Sequence, residues 1–80
     1  MKDKKELNYT VVFEAAAEGG YVVHVPALPG LVTQGETMEE ARIMAKDAIE
    51  GYLAVLREDG EEIPIESDET VVLRVRAVSP

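Results

Sequence analysis

Eighty residues, 46% of them hydrophobic, suffice for one packed domain with a modest core and argue against disorder. With no cysteine and a single histidine, disulfides and thiolate zinc sites are excluded and another structural metal site is disfavoured, so no cofactor is expected and self-association is the expected supplement to the core. The formal net charge of −8 sets the chain against direct binding of nucleic acid, a dense polyanion, and in favour of a basic partner.

Met1 to Glu6 is charged and has no apolar stretch after it, so it reads as a flexible polar end and not as a signal peptide. No apolar run approaches the roughly 20 residues of a membrane span. A cytoplasmic protein is the default expectation. Residues 7–80 read as a single domain.

From Leu7 to Ala15 the pattern alternates: Leu7, Tyr9, Val11, Phe13 and Ala15 share one face, and Asn8, Thr10, Val12 and Glu14 the other. That is the pattern of a half-buried strand. Glu18-Gly19-Gly20 follows, and its glycines supply the positive φ of a tight hairpin. Tyr21 to Val25 alternates again, with Tyr21, Val23 and Val25 on one face and Val22 and His24 on the other. Pro26-Ala27-Leu28-Pro29-Gly30 ends this strand, because proline cannot donate to a ladder. Leu31 to Gln34 reads as a third strand, broken by Gly35.

Thr37-Met38-Glu39-Glu40 fits a capping box, in which the Thr37 hydroxyl accepts from the Glu40 amide and the Glu40 carboxylate returns to the Thr37 amide. The helix runs to about Asp59, with Gly60 as its stop. Ala41, Met44, Ala45, Ala48, Ile49, Tyr52, Val55 and Leu56 form its apolar stripe. Gly51 costs about 1 kcal/mol against alanine inside a helix, and its position at the stripe's edge predicts a close contact. Ile43 and Ala54 fall on the polar side. From Glu58 to Glu69 there are seven carboxylates and no base. This connector, Glu61 and Glu62 included, reads as a solubilising loop that also suits the steering of a basic partner. Thr70 to Val78 reads as a fourth strand.

The resulting order is β-β-β-α-β. Tight turns make the first three strands an antiparallel meander, and a right-handed crossover makes the fourth parallel to the first. The predicted α/β (α+β) fold therefore has strand order 3-2-1-4 and a single helix on one face. The other face should carry Thr10, Val12, Val22, His24, Val72, Arg74 and Val32. An open face of mixed valines and polar groups fits either a partner or dimer contact or the solvated side of a one-sided antiparallel sheet.

The run Gly20-Tyr21-Val22-Val23, then Val25-Pro26-Ala27-Leu28-Pro29-Gly30, then Thr33 to Ala41 with its Gly35, Thr37 and Glu40, resembles the HicB family of antitoxins. Tyr52-Leu53, Asp59-Gly60 and Ile63-Pro64 extend the likeness, which covers roughly residues 7–66. The resemblance implies a cut-down RNase H-like domain and a partner, a small basic RNA-cleaving toxin of the HicA type, neutralised by direct contact. Family members often carry an acidic residue at the position of Ala27 and a small one at that of Leu31. Many continue into a DNA-binding segment; here the chain ends at Pro80, so operator binding is not expected.

Catalysis is not expected either. An RNase H-like nuclease holds two metal ions about 4 Å apart with a carboxylate cluster. Here the first strand offers Glu14, the helix Glu39 or Glu50 on the side away from the sheet, and the fourth strand Arg74 and Arg76. His24 has no nucleophile near it in sequence. The alternative to an antitoxin is a stand-alone oligomeric module with another protein partner.

Overall fold

A computed structural model of the protein describes residues 7–66 and 75–79. Three antiparallel strands, β1 (Val12–Ala15), β2 (Tyr21–His24) and β3 (Val32–Gly35), form a sheet in the order β1-β2-β3. One helix, α1 (Met38–Glu58), packs on one face of it. The architecture is α+β, with the meander expected from the sequence. The N-terminal end, 1–6, residues 67–74, which include Thr70 to Arg74 of the expected fourth strand, and Pro80 lie outside the described residues. Val75 to Ser79 is described, is exposed and forms no strand.

The register sets three residues side by side in each row: Val12, His24 and Val32, then Phe13, Val23 and Thr33, then Glu14, Val22 and Gln34, then Ala15, Tyr21 and Gly35. Because side chains alternate along a strand, Phe13 and Val23 face the helix while Val12, Val22, His24 and Val32 face away. The first strand is shorter than its alternation suggests. Its partner β2 gives way at Val25 to the turn at Pro26, which has no amide to donate, so Leu7 to Val11 extends past the ladder.

Both hairpin glycines have the expected positive φ, +106° at Gly19 and +78° at Gly20. The proline segment is two successive turns. The Leu28 amide donates to the Val25 carbonyl (2.9 Å) and the Leu31 amide to the Leu28 carbonyl (3.1 Å). In the second turn Pro29 presets φ and Gly30 takes φ +85°, as a type II turn requires. The folding back drives Leu28 and Leu31 inward. Leu28 is fully buried and forms one core with Val25, Leu31 and Leu53. Leu7, Tyr9, Val11, Ile49, Tyr52 and Ile63 pack around it. Val23, Ala41 and Ala45 form a second core under the start of the helix.

Helix α1 is capped as its sequence predicts at Thr37, whose hydroxyl accepts from the Glu40 amide (3.0 Å). The return bond differs by one residue. The Glu40 carboxylate accepts from the Glu36 amide (2.6 Å) and not from that of Thr37. At the other end Gly60 (φ +70°) donates to the Arg57 carbonyl and Glu61 to that of Leu56, a Schellman ending. The buried stripe is Ala41, Ala45 and Leu53, flanked by the half-buried Ala48, Ile49, Tyr52 and Leu56. Leu53 thus joins the expected stripe, while Met44 and Val55 leave it, at 38% and 56% exposure. Gly51 makes no close contact with another element, being exposed with nothing beyond its own helix backbone and chain neighbours within 4 Å of a Cβ placed there. The close approach is at Gly35, where a Cβ would lie 2.5 Å from the Ala41 amide nitrogen. Ile43 and Ala54 are exposed, as expected.

Candidate protein-interaction surface

The face of the sheet away from the helix brings Val12, His24 and Val32 into one cross-strand row and places Val22 beside it. Val32 is 66% exposed and Val22 36%, whereas Val12 and His24 are half-buried. Four of the expected face residues therefore lie together. Val72 and Arg74 lie outside the described residues.

Thr10 belongs to the same face but is engaged within the chain. Its amide donates to one carboxylate oxygen of Glu66 (2.7 Å) and its hydroxyl to the other. Donation from the Thr10 hydroxyl, and then from its amide, stabilises the charged carboxylate and holds the Glu66 pKa below its ordinary value; slight desolvation opposes this. The Tyr9 hydroxyl donates to the Pro64 carbonyl (2.5 Å) beside it. The acidic connector is thus tied along the extended segment that precedes β1. Glu61 and Glu62 remain exposed where the chain leaves the helix. Sequence reasoning grouped Glu66 with the solvated acids; only the return of the connector to Thr10, 56 positions away, reveals its partner.

The residues of the family-like run are structural. Pro26, Leu28, Pro29 and Gly30 build the double turn, whose Pro29 carbonyl accepts from the Tyr52 hydroxyl (2.8 Å). Gly35, Thr37, Glu40 and Ala41 set the helix start against the sheet.

Among the described residues two clefts flank the sheet. One, of about 580 Å³, lies between the β1 side and the helix, over Leu7, Tyr9, Val11 and Phe13, with Arg42 and Lys46 in its wall. The other, of about 680 Å³, lies between the hairpin and the helix start. It is walled by Tyr21, Val22, Gln34, Gly35 and Met44 together with Glu18, Glu36 and Glu40. Sequence reasoning did not find this second cleft. The sequence pattern set Met44 in the stripe facing the sheet, which hides it.

Glu14 is on the open face, whereas Glu39 and Glu50 are exposed on the helix. Among the described residues no three His, Asp or Glu side chains are placed to hold a metal ion. No helix among them is long and apolar enough to cross a membrane.

A family model described as the HicB-like antitoxin of bacterial toxin–antitoxin systems matches residues 9–75. The chain is 43% identical over 67 residues to a UPF0150 protein of Thermoplasma acidophilum, covering 84% of this chain and 97% of that protein. It is 44% identical over 61 residues to antitoxin HicB 1 of Photorhabdus laumondii, covering 76% of this chain and 39% of the antitoxin. Against antitoxin HicB of Escherichia coli K12 it is 43% identical over 61 residues, covering 76% of this chain and 44% of the relative. It thus spans about two fifths of the length of these two antitoxins.

Proposed function

The chain belongs to the HicB-like antitoxin family of bacterial toxin–antitoxin systems, and from this we propose that it binds and neutralises a small, basic, RNA-cleaving toxin of the HicA type by direct protein contact. The observation that carries this reading, beyond the family, is the pairing of exposed apolar surface with a net charge of −8. Apolar surface supplies affinity, and the negative field accelerates encounter with a cationic partner. The chain acts by binding and not by catalysis.

Two finer features belong to this proposal. The first is a partial RNase H-like fold, in which a fourth strand parallel to β1 completes the order 3-2-1-4. The Glu66–Thr10 contact, which leads the chain to the free edge of β1, and the apolar cleft beside that edge support it. The open face of Val12, Val22, His24 and Val32 is the contact between copies in a homodimer or higher homo-oligomer. Its exposed valines support that assignment.

The Thermoplasma relative, matched over 97% of its length, favours a second reading: a stand-alone oligomeric module with a different protein partner. Co-expression separates the two. Cells arrested by a HicA-type toxin from the same genome should resume growth when this chain is expressed with it. Unrelieved arrest, with both proteins present, would favour the second reading.

A further inference from the structure

Helix α1 separates its charges. All three of its cations, Arg42, Lys46 and Arg57, lie on one flank, and Arg42 and Lys46 wall the cleft beside β1. The opposite flank is apolar. Met44, Gly51 and Val55 stand at spacings of seven and four, which places them on one side of a helix with 3.6 residues per turn. All three are exposed. Met44 walls the second cleft with Gln34 and Gly35 of β3, so this flank is turned toward β3. Among the described strands β3 is the end of the sheet, bonded to β2 alone, and its outer edge presents backbone donors and acceptors. The charges bordering the flank are Glu36, Glu40, Asp47 and Glu58, all exposed carboxylates.

Gly51 is otherwise unexplained. Glycine weakens a helix against alanine, and apart from its chain neighbours and its own helix backbone nothing lies within 4 Å of a Cβ placed there. A glycine in that position allows an approaching backbone to come close. A second copy suits the surface poorly, because a two-fold contact would set carboxylates against their own equivalents. A cationic surface complements it.

We propose that the outer edge of β3 and the Met44–Gly51–Val55 flank of α1 form one docking surface for a basic protein, whose backbone approaches at Gly51 and whose Lys or Arg side chains reach Glu36, Asp47 and Glu58. The proposal rests on the reading that the chain binds a basic partner, and it places that partner at the β3 side of the helix, away from Val12, Val22 and His24 and from residues 61–66 of the connector.

The test is an NMR titration of the full chain with a blocked peptide of alternating arginine and valine, at about 0.1 M salt, where the screening length is roughly 10 Å. The Met44 and Val55 methyls and the Thr33, Gly35 and Gly51 amides should shift. Val55→Lys, a change at an exposed position, should weaken binding by about tenfold. Asn8→Lys, the same charge change near β1, should leave it within about twofold. Shifts confined to Val12, Val22 and His24 or to residues 61–66, no shift at about 1 mM peptide, or unchanged affinity in Val55→Lys would each overturn the surface. A toxin recovered from cells that binds Val55→Lys as well as the parent would sink the surface and leave the toxin reading intact. Flank shifts with no toxin recovered would do the reverse.

Discussion

Two glycines on and beside one helix show how differently the same residue can be used. At Gly35 a Cβ would lie 2.5 Å from the Ala41 nitrogen and 2.6 Å from its Cα, both backbone atoms that cannot move aside without shifting the helix start. Gly35→Ala should therefore destabilise the fold by about 3 kcal/mol, the upper range for overpacking. Gly51 faces open space, so Gly51→Ala should stabilise it by up to about 1 kcal/mol. Urea unfolding of both variants checks the pair, and effects of equal sign would contradict the assignment. The sequence made the opposite distribution look natural. Gly51 sits at the edge of an apolar stripe, whereas Gly35 reads as a strand breaker. Periodicity tells which residues share a face but not where another element crosses that face, and the crossing decides which glycine is needed. The same limit explains Leu53, buried, and Val55, exposed. Both lie near a broad apolar arc, and the helix turns only part of it to the sheet.

At the scale of elements, the strands, turns and caps were legible because each has local chemistry: alternation for β1 and β2, glycines for the hairpin, Pro-Gly for the double turn, Thr37 and Gly60 for the helix ends. What was not legible is long-range. Glu66 lies in an acidic run whose composition suggests solvation, yet it holds the Thr10 amide and hydroxyl. Its folded pKa is lowered, so the contribution of this contact is present above the ordinary carboxylate pKa and is lost as pH falls through the lower folded value. A carboxyl-carbon NMR titration should place the Glu66 midpoint below the ordinary 4.5 and show it moving upward in Thr10→Val, which removes the donor with the larger effect. A parent midpoint at or above 4.5 would mean that the connector is not held at β1.

At the scale of the whole molecule, charge and shape act together. A domain of 80 residues with a small core exposes valines on its open sheet face and an apolar helix flank bordered by carboxylates. The family could be read from the order of turns and caps, because those residues build the structure. The surfaces proposed to meet partners could not, since each is made of residues from β2, β3 and α1 that only folding brings together. Net charge alone sets the sign of the partner proposed.

The most direct test of partner binding is an affinity pull-down of the tagged full chain from its native cells at low salt, with mass-spectrometric identification of what is retained. The account predicts a small basic HicA-type protein that is released as salt is raised. Recovery of the chain alone would contradict it and leave a self-associating module.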